Sequence, residues 1–182
     1  MKTKTDFQTS LDIFVEHFLK GDPFPNDNWS ISYWEEVIYK WLNGLYYDEE
    51  DLLLSMEALH QAFVAHFPYT GELYRGTQLP IDEKMTPRNL ASFSSYDEVA
   101  LFFAGDSEIY GENFRAGRPN RTFISARHDQ AFHFIDFLEK LKPLTSNFPL
   151  LMLIDDRAWE SEVLAPLTEE MLQTAQPVTR SH

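Results

Sequence analysis

The chain has 182 residues, 43% hydrophobic and 15% aromatic, enough to bury one full-sized core but too few for two large domains. It contains no cysteine, which excludes a disulfide scaffold, a thiolate zinc site and a cysteine nucleophile. The net charge of −14, from 29 acidic against 15 basic residues, disfavours general nucleic-acid binding, because that affinity rests on Lys and Arg neutralising phosphates.

The same charge favours basic partners. The basic residues are unevenly placed, with Arg75, Lys84, Arg88, Arg115, Arg118, Arg121 and Arg127 in under a third of the chain. A local basic stretch of this kind suits an anionic small ligand such as a pyrophosphate. No apolar run approaches the roughly 20 residues of a membrane span. Residues Met1 to Asp6 lack the apolar stretch of a secretory signal, so a cytoplasmic protein with no membrane partner is expected.

Residues 1–70 read as helical. Leu11, Phe14, Val15 and Phe18 recur at helical spacing, and Gly21-Asp22-Pro23 ends the run. Trp34, Val37, Ile38, Trp41, Leu42 and Leu45 form a second apolar stripe, ending near Gly44, best read as core. Asp48 or Asp51 is placed to cap a third helix carrying Leu52, Met56, Leu59 and Phe63, closed by Pro68.

The pattern changes after Gly71. Glu72 to Gly76 and Asn89 to Ser94 read as short strands, and Ser95-Tyr96-Asp97-Glu98 as a capping box opening a helix to Gly105. Residues 106–121 are polar and read as a long loop, a type often functional in compact domains. Thr122 to Ala126 reads as a strand and Gln130 to Leu141 as a helix. Leu150 to Ile154 is a continuous apolar run of buried-strand type, Asp155 to Trp159 a turn, and Glu162 to Ala165 a strand stopped by Pro166. The tail after Thr168 carries no clear pattern. The division expected is a helical portion over 1–70 and a core over 71–182, together forming one compact domain.

Three fragments carry chemistry jointly: Tyr74-Arg75-Gly76, Ser92-Phe93-Ser94 and Glu160-Ser161-Glu162. Glutamates two apart on a strand would present both carboxylates to one face. In this order, with Ala100 and Phe103 after the serines and Val163 and Pro166 after the glutamates, the chain resembles the arginine–serine–glutamate class of mono-ADP-ribosyltransferases. That class includes bacterial toxins and phage-encoded enzymes. The likeness covers Tyr74 to Pro166; the central position of the serine motif, most often Thr in the class, is Phe93 here.

The resemblance implies an α+β fold, with helices before a split, mostly antiparallel sheet, and a reaction that transfers ADP-ribose from NAD to an arginine of a target protein. NAD is then a co-substrate and no metal is needed. It implies that Glu162 stabilises the oxocarbenium-like transition state and that Glu160 orients the acceptor guanidinium. Arg75 would hold phosphate oxygens, Ser92 would fix Glu162, and Ser94 would add polar contacts. The backbone of Gly76 would meet the carboxamide. Arg115 and Arg118 would lie on a loop over the phosphates, and Trp159 would help recognise the target.

Three alternatives stay open: an NAD glycohydrolase, a transferase to another acceptor, and a non-catalytic acidic inhibitor on the same fold. His128 and His133, and His60 and His66, lack the spacing of a helical metal pair. No Gly-x-Gly-x-x-Gly pattern appears, so NAD use would not rest on a Rossmann domain.

Overall fold

The computed structural model describes residues 4–44, 50–111, 113 and 115–178. The chain divides into two compact units, Met1–Phe67 with Ile135–Trp159, and Pro68–Phe134 with Glu160–His182. Residues 135–159, expected in the core segment 71–182, thus group with the N-terminal helices.

The first unit is helical. Helix α1 spans Lys4–Lys20, α2 Trp29–Leu42, α3 Glu50–Phe63, α5 Phe134–Leu141 and α6 Phe148–Arg157. The apolar stripes read from the sequence are its core: Phe14, Phe18, Trp34, Ile38, Met56, Leu59 and Phe63 are all fully buried. Aromatic rings fill its centre. Phe18 stacks on Phe137 at 4.7 Å between centroids, and Phe63 lies 4.9 Å from Phe137. The one polar edge of Trp34 is satisfied by the Ser10 hydroxyl, 3.1 Å from Nε1. Asn28 caps α2 by accepting from Ser30 N and Ile31 N, and Gly44 beyond its end has φ 71°. Leu45 and the Asp48 cap lie outside the described residues.

The apolar run Leu150–Ile154 is helical, not a strand. Asn147 caps α6 by accepting from Leu150 N, and Pro149 stands in the first turn, where its missing N–H costs nothing. Buried Leu150 and Ile154 are one helical turn apart, whereas Met152 between them is exposed, a period that a strand would not give. Asp155 to Arg157 therefore belong to the helix, and Ala158–Glu160 form a short 3₁₀ turn.

The second unit is built on a five-stranded antiparallel sheet in the order β4-β2-β1-β3-β5. Its strands are β1 Leu73–Leu79, β2 Arg88–Ser94, β3 Asn120–Ala126, β4 Glu162–Leu167 and β5 Gln176–Pro177. Helices α4, Asp97–Ala104, and α7, Glu169–Gln173, complete it. The fold is thus α+β with N-terminal helices and an antiparallel sheet. Leu73, Ala91, Phe93, Ile124, Val163 and Ala165 alternate along their strands and form one core under the sheet.

Pairing is uneven across the sheet. Strands β1 and β3 pair from Leu73 with Ala126 to Leu79 with Asn120. Strands β1 and β2 have one register pair, Tyr74 with Ser94. Two ribbons, β4–β2 and β1–β3–β5, therefore meet at that point and part beyond it.

Several boundaries and one cap differ from the sequence reading. Strand β4 runs through Pro166 to Leu167. Proline is tolerated because β4 is an edge strand and Pro166 faces the register shift between Arg88 and Ala91 of β2. The helix read over 130–141 begins only at Phe134. The capping box of α4 does not form. The Tyr96 N–H goes to the Ser94 hydroxyl at 3.0 Å, and the Glu98 carboxylate accepts from the Ser107 hydroxyl at 2.7 Å instead of turning back. None of the described helices is long and apolar enough to cross a membrane.

Candidate active site

The site sits in the second unit where the two ribbons part. Arg75 on β1 donates from Nη1 to the backbone carbonyl of Ser92 on β2. A diverging strand would leave that carbonyl without a ladder partner, and the guanidinium supplies the donor. The Ser92 hydroxyl in turn donates to Oε1 of Glu162 on β4. Three residues far apart in sequence thus form one continuous chain across three strands.

Arg75 is partly buried, with its guanidinium carbon 6.0 Å above the Phe93 ring. Its Nε is buried without a hydrogen-bond partner, and among the described residues no carboxylate forms an ion pair with it. A sheltered cation without a countercharge is costly unless an anion completes it. Arg75 therefore has the character of an anion-binding group, and the Ser92 hydroxyl holds the Glu162 carboxylate in place.

The glutamate motif is not a strand pair. Glu160 ends the 3₁₀ turn, Ser161 adopts φ 45°, and only Glu162 belongs to β4. The expectation that both carboxylates share a strand face fails because Ser161 reverses the backbone between them. Ser161 is the one described non-glycine residue with positive φ, a conformation that costs about 1 kcal/mol or more and must be held by its surroundings. Two bonds hold it: the Ser94 hydroxyl donates to Glu160 O at 2.9 Å, and Ser95 N donates to Ser161 O at 3.1 Å.

These bonds define Ser94 as a brace. Ser94 is 5% exposed and its hydroxyl is engaged on both sides, by Glu160 O and Tyr96 N. Gly76 is also explained by packing. A Cβ there would lie 1.6 Å from Ala100 O and 2.7 Å from Ala104 N of α4, so the missing side chain admits the helix. Arg115 and Arg118 are exposed on the segment between α4 and β3. Trp159, 38% exposed, ends the helical unit one residue before Glu160. Among the described residues no group of three or more His, Asp or Glu side chains is placed to hold a metal ion.

Two residues of the site's surroundings escape the sequence reading. Gln78 is 4% exposed at the far end of β1, and its amide binds three backbone groups. Glu98 ties α4 to Ser107 and Ile109. Gln78 has a faint signal, as a polar residue in phase with Tyr74 and Gly76 on a strand; Glu98 reads as the acid of a capping box, which gives no sign of its bond to Ser107. Comparison with protein-family models, curated proteins and solved structures finds no match.

Proposed function

We propose that the protein is a mono-ADP-ribosyltransferase that cleaves NAD and transfers ADP-ribose to an arginine side chain of a target protein. The observation that carries this reading is the chain Arg75–Ser92–Glu162, with a partly buried arginine lacking a countercharge at one end and a positioned carboxylate at the other. NAD has matching parts: a pyrophosphate for the guanidinium fork, and a ribose that becomes oxocarbenium-like as nicotinamide leaves.

In this reading the nicotinamide–ribose bond breaks with its electron pair leaving on nicotinamide, and Glu162 stabilises the cation that forms at the sugar. Ser92 keeps Glu162 in one rotamer before the charge appears. Glu160, at the turn preceding β4, orients the acceptor guanidinium and takes its proton as the new carbon–nitrogen bond forms. The brace from Ser94 sets the separation of the two carboxylates by holding the backbone at Glu160 and Ser161. Arg115 and Arg118 add positive charge toward the phosphates. The acidic chain favours a basic target surface.

The test is incubation with labelled NAD and a cell lysate, with Glu162→Ala and Glu160→Ala in parallel. Loss of one preorganised charge-stabilising group should cost about 10²–10³ in rate. Protein labelling is expected to vanish in both variants, while hydrolysis of NAD survives only in Glu160→Ala. Label resistant to arginine-directed release would overturn the acceptor. Absence of NAD turnover by every form would overturn the enzyme reading and favour an acidic binding protein.

A further inference from the structure

We infer that Gln78 is a positioning residue that fixes Arg115 for the phosphates of the dinucleotide, an inference that rests on the NAD reading of the site. Gln78 lies three residues beyond Arg75 on β1, about 10 Å along a strand. Its side chain points to the same sheet face as Gly76, toward α4.

Its amide bonds reach three places. Nε2 donates to Phe103 O at 3.1 Å, at the end of α4, and to Asn113 O at 2.5 Å. Oε1 accepts from the Arg115 backbone N–H at 2.8 Å. One side chain thus supplies to the α4–β3 segment the donors and acceptor that a neighbouring strand would otherwise give. The surroundings leave it little freedom. Gly105 ends α4 with φ 91°, and a Cβ there would come within 3.1 Å of the Gln78 amide. Arg121, the register partner of Gln78, reaches back to Gly105 O at 3.5 Å.

At the other end of the segment, Glu98 Oε2 accepts from Ser107 and Ile109 N, and Tyr110 N donates to the Ser107 hydroxyl. The segment is therefore anchored on both sides of α4. What Gln78 adds is the location of the Arg115 backbone, in a residue that is itself exposed. One of these bonds ties the amide to the end of α4 and two tie it to the loop beyond, so leucine at this position would leave the Asn113 carbonyl and the Arg115 N–H without their partner. The bond to the Arg115 N–H also fixes where the loop carries Arg115, the residue that the NAD reading assigns to the phosphates.

The experiment is a double-mutant cycle on the full chain with Gln78→Met, Arg115→Ala and the pair, reading KM and kcat for nicotinamide release and direct NAD binding. Each single substitution is expected to raise KM about tenfold with a smaller change in kcat, and the pair to be no worse than Arg115→Ala alone. Additive effects would overturn the inference, since Gln78 would then act independently of Arg115. Limited trypsinolysis gives a readout free of activity: Gln78→Met should speed cleavage after Arg115, and unchanged cleavage would contradict the clamp. If Gln78→Met does not fold, Gln78→Glu serves in the same cycle, keeping the bond to Arg115 N but setting a carboxylate against two carbonyls. If wild type binds no NAD, the site reading fails while the tryptic comparison still decides the clamp.

Discussion

Ser92 serves the site through two different groups, its carbonyl for Arg75 and its hydroxyl for Glu162. Replacing it with alanine separates them, since the carbonyl and its bond to Arg75 stay. The hydroxyl–carboxylate bond is of the charge-assisted kind, worth about 1.5–3 kcal/mol. Ser92→Ala is therefore expected to lower kcat for NAD cleavage about 10–100-fold while the protein stays folded with at most a modestly lowered melting temperature, measured by nicotinamide release and thermal unfolding. At this scale the sequence was informative about identity and poor about geometry. Arg75, Ser92 and Glu162 stand out by type and order, and the structure brings them together. Ser161 does not stand out, because nothing in the letters Glu-Ser-Glu distinguishes a strand from a residue at φ 45°. Ser94 reads as a ligand group from its place in Ser-x-Ser, yet its bonds are to backbone at Glu160 and Tyr96.

Between elements, the contact that admits least change is α4 on β1 at Gly76. A methyl group there meets the backbone of Ala100 and Ala104, and no rotamer change relieves a clash with backbone. Gly76→Ala should lower the free energy of unfolding by about 3 kcal/mol or more, read as a shifted urea midpoint. A pH-dependent contribution joins the start of β1 to the end of β3. Arg127 and Ser125, hydrogen-bonded to Glu72, hold its carboxyl below its ordinary value of 4.5. A lowered native pKa means that the stabilisation is present above 4.5 and is lost as pH falls through the native value. The wild-type protein should therefore lose more stability than Glu72→Gln on acidification below pH 4.5, as measured by denaturant unfolding. The helix misread as a strand, α6, shows why short apolar runs mislead. Leu-Leu-Met-Leu-Ile has no polar residue to reveal a period, and only the Asn147 cap with Pro149 marks the helix start.

For the whole molecule, the interleaving of the two units was the least legible feature. Read along the chain, residues 135–159 follow a strand and precede β4, which assigns them to the sheet. In the structure they group with residues 1–67, because the apolar faces of α5 and α6 are buried in the helical unit, Phe137 against Phe18 and Phe63. Contact between distant segments leaves no mark in local periodicity. The helices before the sheet were legible through their apolar stripes, whereas the antiparallel arrangement of the short strands was expected only through the resemblance. The opening between β1 and β2 was not legible, since it depends on where pairing stops. We propose that this opening is an NAD-cleaving site whose charge-stabilising group is Glu162. The most direct measurement is nicotinamide release from NAD by the purified protein beside Glu162→Ala. Release by wild type, reduced about 10²–10³-fold in the variant while NAD binding persists, is the predicted result. Equal release by the two proteins, or no binding of NAD by wild type, would contradict it.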